Sequence, residues 1–349
     1  MKLKTLIAGL RAQNPLDLLR FARDVQTLIR MQFLYAAIEC GLLAALKTPS
    51  TKDDLVKKLD AKRLELLEAL LNVGLSLGEL SYENGVYRVK GKRSLAVTGE
   101  KGDPLAALVQ ASLNHYNSSY LNLTSRLHGA RSDNRLDEIG DTVARCSRLY
   151  APFFQSFVSD TVAGKGALRI LDIGCGSGIY LRDAYEANPG VSGIGIDMDH
   201  AVVEQARRNL AGWGISDRFR IISGDIRVPP AELSGSFDLI TMYNLIYYFK
   251  TEERPGLFLS IRSMLSPGGR IALATNVQGE PKDIGSSHLN LVTSSTAGCT
   301  PLPVLGEITS LLRDSGFEHI KITRLIPGTA LYGIVAPTKE SPSSTAGPE

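Results

Sequence analysis

The sequence predicts an α/β protein: a mostly parallel, Rossmann-like sheet preceded by a mainly helical N-terminal domain. Three observations predict it. Leu168–Gly178 reads Leu-Arg-Ile-Leu-Asp-Ile-Gly-Cys-Gly-Ser-Gly. An apolar run of the kind buried on both faces of a sheet breaks there into Gly174, Gly176 and Gly178, and a helical stretch Ile179–Ala187 runs on to Asn188-Pro189-Gly190. Strand, glycine turn and helix make the first half of a nucleotide-binding βαβ unit. From that point strand and helix patterns alternate, which implies parallel strands with right-handed crossovers. Before it, the pattern is helical, with a single hairpin signal at Asn84-Gly85.

At 349 residues the chain has room for two domains. A 44% hydrophobic and 21% charged composition is that of a soluble globular protein. A net charge of +3 is too small to argue for nucleic acid or a membrane surface. Cys40, Cys146, Cys175 and Cys299 lie far apart, with no Cys-x-x-Cys or His-x-x-x-His. That spacing argues against a structural metal and a disulfide framework, so no metal and a cytoplasmic setting are expected. The apolar run in Met1–Leu10 is too short for an export signal. Met31–Leu46 carries Glu39 and falls short of a membrane span. The Ser/Pro/Gly-rich end, residues 340–349, reads as a disordered tail.

In chain order, apolar residues at helical spacing over Pro15–Leu46 predict one long helix or two abutting ones, ended by Gly41 and Pro49. Thr51-Lys-Asp-Asp54 is a capping start for a short helix to Leu59. Ala61–Gly78 follows as a third, with Leu64, Leu67, Leu71 and Leu75 on one face. Leu80–Val89 is a hairpin turning at Asn84-Gly85. Three helices and a hairpin make a winged helix. The third helix mixes Glu65 and Glu68 with Lys62 and Arg63, so it lacks the basic face of a DNA reader and suits pairing with a second copy. Residues 1–103 form this domain.

Leu95–Asp103 reads as a linker, and residues 104–160 as a helical connection. Within it, Asn114–Tyr120 is dense in hydrogen-bonding side chains. Arg126, Arg131, Arg135, Arg145 and Arg148 are interleaved with Asp133, Asp137, Glu138 and Asp141, a self-paired solvated face. Arg148, Tyr150 and Phe154 stand out because their surroundings are apolar.

The glycine loop is Gly-x-Gly-x-Gly, not the Gly-x-Gly-x-x-Gly of dinucleotide binding. Asp172 stands two residues before its first glycine, and the strand Val191–Asp197 ends in a second acid. A carboxylate by the loop repels a pyrophosphate and suits a cationic ligand without phosphate. On Leu-Asp-Ile-Gly-Cys-Gly-Ser-Gly, on Gly-Ile-Asp197 and on the later order of elements, the second half of the chain resembles the class I S-adenosylmethionine-dependent methyltransferases. The first half resembles the N-terminal dimerisation domain of small-molecule O-methyltransferases. The resemblance implies a seven-stranded catalytic domain over 161–339, S-adenosylmethionine as cofactor with S-adenosylhomocysteine as product, and a homodimer acting on a small molecule, with no nucleic acid or membrane partner.

The resemblance also implies site residues. Asp172, Gly174, Gly176 and Gly178 would form the loop, Asp197 would take the ribose hydroxyls, and Met198 would flank them. Gly224-Asp225-Ile226, after the strand Phe219–Ser223, would place Asp225 on the adenine amino group and Ile226 on the ring. Tyr243 and Asn244, at the end of Phe237–Tyr243, would lie near the sulfonium. Tyr120, Arg148, Tyr150 and Phe154 would line the acceptor pocket. Trp213 reads as core. Ser266-Pro-Gly-Gly269 is expected as the turn before a strand Arg270–Asn276, and Val277–Leu302 as a long loop. Pro303–Ser315 reads as a helix, and Glu318–Ile326 and Ala330–Ala336 as the closing strands.

Methyl transfer from a sulfonium is an in-line displacement, so positioning and exclusion of water carry most of the task. A base is needed where the nucleophile must lose a proton. His288 and His115 are the candidates. Gly285-Ser-Ser-His288 departs from the plant-type histidine motif, which leaves catalysis by proximity alone open. O-methylation of a metabolite is the expected function. The alternatives are C- or N-methylation of a keto acid, prenyl or polyketide substrate, and a ligand-sensing DNA-binding regulator.

Overall fold

The computed structural model describes residues 14–130, 140–233, 235–280 and 283–339. The export-signal reading at the first residues, the charges at Arg131, Asp133, Arg135, Asp137 and Glu138, and the tail from 340 lie outside the described residues. The chain folds as two units, Met1–Asn122 with Leu136–Leu149, and Leu123–Arg135 with Tyr150–Glu349. Among the described residues no helix is long and apolar enough to cross a membrane.

The first unit opens on α1, Pro15–Glu39, where Asn14 Oδ1 accepts the Leu16 amide at 3.1 Å and Pro15 takes the first helical position. Gly41, at φ 76°, separates α1 from the one-turn α2, Leu42–Ala45, giving two abutting helices. The capping box forms: Thr51 Oγ1 accepts the Asp54 amide at 3.1 Å, and Asp54 accepts the Thr51 amide at 3.2 Å. It starts α3, Lys52–Lys58; α4 is Leu64–Ser76. Strands β1, Leu80–Glu83, and β2, Val86–Val89, pair antiparallel across Asn84 and Gly85, which both take positive φ as a type I′ turn demands. Phe33, Leu34, Leu55, Leu67, Leu71 and Leu80 close one apolar core.

The stretch expected as linker is largely helical: α5 is Lys92–Thr98 and α6 is Asp103–Gln110. The π-helical turn Ala111–Tyr116 continues into α7, Asn117–Leu121. Helix α8 is Leu123–Leu127 and α9 is Gly140–Ser147. Arg145 of α9 donates to both carboxylate oxygens of Asp103, at 2.6 to 3.1 Å, a partner outside the acids interleaved with it in sequence.

In the second unit a 3₁₀ turn ends at Tyr150 and α10, Ala151–Val162, follows. Then come β3 Leu168–Ile173, α11 Ile179–Ala187, β4 Val191–Asp197, α12 His200–Gly212, β5 Phe219–Ser223 and β6 Phe237–Tyr243. The chain closes with α13 Arg254–Met264, β7 Leu265–Asn276, α14 Ile284–Ser294, α15 Leu305–Asp314, β8 Lys321–Arg324 and β9 Leu331–Pro337. The seven strands run β5-β4-β3-β6-β7-β9-β8, parallel except for β9, which is antiparallel to both β7 and β8. The chain starts at β3, winds outward through β4 and β5, and then crosses to β6 on the other side. That reversal opens a crevice at the carboxyl end of β3, where the glycine loop lies.

Three expectations change. The segment Ser266–Gly269 is a bulge inside β7, not a turn before it: Leu265 pairs with Phe237 before the register shifts to Arg270 and Leu239. Ser266 holds the bulge, donating to Phe237 O at 3.1 Å and Asp238 Oδ1 at 2.9 Å. The expected loop Val277–Leu302 contains α14, capped by Asp283, whose Oδ1 accepts the Gly285 amide at 3.0 Å. Trp213 is only half buried, with the Arg182 guanidinium 5.0 Å over its ring.

Arg254 is the largest fully buried side chain. It is ion-paired with Glu307 at 2.5 Å, donates to Thr300 Oγ1 at 2.8 Å, and so clamps three separate segments together. Arg254→Ala strips this clamp and leaves a cavity, and is expected to cost about 3 kcal/mol of stability. The reading is the urea-unfolding midpoint, and a midpoint equal to that of the wild type contradicts it.

Candidate active site

The crevice is built on the turn after β3. The amides of Gly174 and Cys175 donate to Ile196 O at 2.8 and 3.1 Å, tying the loop to β4. Gly176, at φ 53°, is in a backbone region that disfavours side chains, and a Cβ there would meet nothing within 4 Å. The loop therefore presents bare backbone to open space. Gly178, at φ 79°, starts α11; a Cβ there would meet Leu210 at 2.7 Å.

Asp197, at the end of β4, reaches back to this loop. Its Oδ2 accepts the Gly176 amide at 3.0 Å, and its Oδ1 accepts the Asp199 amide at 3.1 Å. Each oxygen keeps a second lone pair for an outside donor. Met198 beside it is exposed. Gly224 follows β5 and donates its amide to Asp197 O at 3.0 Å.

Asp225 is engaged. Arg227 Nε lies 3.0 and 2.9 Å from its two oxygens, Arg227 Nη2 lies 2.8 Å from Oδ2, and the Arg227 amide donates to Oδ1 at 2.9 Å. This pairing holds the Asp225 carboxyl below its ordinary range. Ile226 is buried in the apolar cluster with Leu233, not presented on an open face.

Asp172 is buried under the loop, 1% exposed. Its Oδ1 accepts Thr241 Oγ1 at 2.6 Å, across the β3–β6 pair that sets these residues side by side. Its Oδ2 is buried with no partner among the described residues. Burial pushes its carboxyl up to about 7 against the pull of the Thr241 hydrogen bond, and the Asp197 charge adds to the rise. Tyr243 was expected at the crevice mouth. It shares the sheet face of Thr241 and turns into an aromatic cluster, with its ring 4.6 Å from Tyr180 and 6.3 and 6.2 Å from Phe154 and Phe157. Its hydroxyl is also buried with no partner among the described residues. Phe154, expected to line the acceptor pocket, belongs to the same cluster.

Asn244 does lie at the strand end, at φ 50°, rare for a residue with a side chain. Its amide donates to Ala274 O at 2.7 Å, and its side-chain oxygen is buried with no partner among the described residues. Tyr248, missed by the sequence reading, stands within electrostatic reach of Asp197; burial holds its phenol above its ordinary value, with Cys299 and Asp197 adding. Thr241, Tyr180 and Arg227 were missed as well. Of these only Arg227, two residues from Asp225, was open to local reading.

The remaining candidates are scattered. His288 is half buried on α14, and burial lowers its pKa. Tyr150 is exposed. In the first unit, His115 is buried on the π-helical turn, Tyr120 is exposed, and Arg148 lies 3.6 Å from Asp103. Among the described residues no three His, Cys, Asp or Glu side chains are grouped to hold a metal.

An adenosyl sulfonium fits what is present at the loop. The sequence puts no Lys or Arg in 172–178 or 197–199. The loop instead offers carboxylates with open lone pairs, bare backbone over Gly176 and the orphan oxygens of Asp172 and Asn244. A pyrophosphate would meet the Asp197 carboxylate already seated on the loop amide.

Comparison with known proteins points to a methyltransferase domain. A family described as methyltransferase domain matches residues 170–269. The chain is 28% identical over 179 residues to demethylspheroidene O-methyltransferase of Cereibacter sphaeroides, covering 51% of this chain and 46% of that protein. It thus spans less than half of that relative. It is 31% identical over 165 residues to ubiquinone biosynthesis O-methyltransferase of Pseudomonas aeruginosa, covering 46% of this chain and 68% of that one. The solved structure of mitomycin 7-O-methyltransferase superimposes with a TM-score of 0.77 at 17% identity, over 95% of this chain and 99% of that one, a likeness of fold.

Proposed function

We propose, from the premise that this chain belongs to the class I S-adenosylmethionine-dependent methyltransferases, that it methylates a hydroxyl of a small biosynthetic molecule. The observation that carries the reading is the Asp197 carboxylate seated on the Gly176 amide, with open space above that glycine. The cofactor, when bound, supplies a methyl on a cationic sulfur that departs as a neutral thioether. The outward lone pairs of Asp197 hold the two ribose hydroxyls, and Asp225 accepts from the base 6-amino group beside its Arg227 pair. Met198 covers the ribose. Asn244, fixed by its strained backbone, orients the reacting end. Among the acceptor-side candidates, Tyr120 and Tyr150 are exposed, as is Arg148 beside its Asp103 partner. The His288 imidazole, lowered by burial, is neutral at neutral pH and able to take the acceptor's proton. His115 is the second candidate base.

A hydroxyl acceptor is supported by the O-methyltransferases among the relatives, named for demethylspheroidene and ubiquinone biosynthesis. Labelled donor and the purified protein are to be mixed with small phenols and keto acids. Label on oxygen in the phenols is the expected result, and label confined to carbon in the keto acids contradicts it.

The first unit pairs with a second copy. Leu16, Leu19, Phe21, Val25 and Leu28 of α1 are each more than half exposed, as is Leu66 of α4. An apolar set of this size needs a cover. Phe21→Glu together with Leu28→Glu is expected to convert a dimer into a monomer in light scattering, with the circular dichroism of the wild type. A monomeric wild type contradicts the pairing. The free state of Cys40, Cys146, Cys175 and Cys299 supports a reducing, cytoplasmic setting.

A further inference from the structure

A cavity of about 180 Å³ lies inside the first unit, away from the glycine loop in sequence and built from α1, the end of α6, the π-helical turn and α9. Its volume resembles the roughly 150 Å³ cavity that admits benzene, so it has room for one substituted ring. Its lining is polar: Tyr35, Glu39, Gln110, Asn114, His115 and Thr142.

Some of these groups are already committed. Gln110 donates to Glu39 Oε1 at 2.6 Å and accepts from Arg145 at 3.2 Å. Arg145 is itself neutralised by Asp103. What stays open is the second oxygen of Glu39 and the side chains of Tyr35, Asn114 and Thr142, for which no hydrogen bond occurs among the described residues. His115 is 7% exposed. A π-helical turn widens the helix by a residue per turn, and such turns gather at functional sites. This one sets Asn114 and His115 on the same cavity.

The charge on the wall selects the ligand. Among the described residues the cavity carries one carboxylate, Glu39, and neither Lys nor Arg lines it. An anionic ring would face that carboxylate at short range. A neutral ring bearing hydroxyl or amine donors could donate to Glu39 and Asn114 and accept from Tyr35.

We propose that this cavity, built on α1 and the π-helical turn, is the binding site for an uncharged, donor-bearing single ring and rejects carboxylated rings. It rests on the reading of the chain as a small-molecule methyltransferase, whose acceptor class it narrows. A phenol-type ring fits; a keto acid does not. Larger acceptors insert one hydroxylated ring and leave the rest outside.

The test is calorimetric titration of the full chain with catechol and with benzoate, for the wild type, Glu39→Gln and Asn114→Leu. Catechol is expected to bind at least about tenfold more tightly than benzoate to the wild type, a gap that one unscreened like charge readily supplies. Glu39→Gln is expected to close that gap to within about threefold by admitting benzoate, while Asn114→Leu weakens catechol alone. Benzoate binding the wild type as tightly as catechol, a gap unchanged in Glu39→Gln, or no binding of either ring overturns the proposal. S-adenosylhomocysteine is titrated in parallel. Its binding with either ring result unmet sinks this site and keeps the methyltransferase reading, whereas its failure to bind sinks that reading itself. Thermal unfolding of each variant separates loss of the site from loss of the fold.

Discussion

Replacing Asp197 with alanine is expected to weaken S-adenosylhomocysteine binding by roughly 30- to 1,000-fold. The estimate follows from two charge-assisted hydrogen bonds to the ribose, which together contribute about 2–4 kcal/mol. The side chain has a second task, because it also receives the Gly176 and Asp199 amides. Asp197→Asn separates the two, since one amide oxygen still accepts while the charge is gone. It is expected to fall between the wild type and the alanine variant. An Asp197→Ala protein with unchanged affinity contradicts the placement of the ribose.

The second large effect is on stability. The Asp172 carboxyl is raised from its ordinary value near 4 to about 7, chiefly by burial. A carboxyl with a raised folded-state value favours the folded state most at low pH, where it is protonated in both states. It loses that contribution as pH climbs from about 4 through about 7, because the unfolded chain releases its proton first. At pH 8 the wild type therefore carries a penalty on the order of 4 kcal/mol that an uncharged side chain does not. Asp172→Asn is nearly isosteric and is expected to be several kcal/mol more stable than the wild type at pH 8, the difference shrinking toward zero near pH 4. Urea unfolding at both pH values reads it. A pH-independent difference, or a variant less stable at pH 8, shows that the fold does not raise this carboxyl.

What the sequence made legible was what a short stretch encodes. The capping box at Thr51 and Asp54, the turn at Asn84-Gly85, and the loop from Asp172 to Gly178 each depend on residues within a few positions. They appear as read. The alternation of strands and helices likewise gave the sheet its parallel core. What stayed hidden depends on partners far along the chain. The role of Thr241 follows from its register opposite Asp172, 69 residues away, which no local pattern reveals. Tyr243 was placed at the crevice because it ends a strand. Its sheet face, shared with Thr241, instead turns it into the aromatic cluster with Tyr180. Ile226 looked like a surface for a ring and is core, because Leu233 and the strands behind it close over it. Helix α14 was lost in a Gly/Ser/Thr-rich stretch whose composition resembles loop, although Asp283 supplies a clear cap for it. The candidate histidines show the same limit: His288 and His115 were chosen as residue types, and their surroundings were set by a helix and a π-helical turn that the sequence did not announce.

The central claim is that the crevice over Gly176 is made for a phosphate-free adenosyl ligand. Calorimetric titration of the purified chain with S-adenosylhomocysteine, beside an identical titration with NAD, tests it most directly. Saturable binding of S-adenosylhomocysteine at one site per chain with no heat from NAD is the predicted outcome. Binding of NAD, or no binding of S-adenosylhomocysteine by a folded protein, contradicts it.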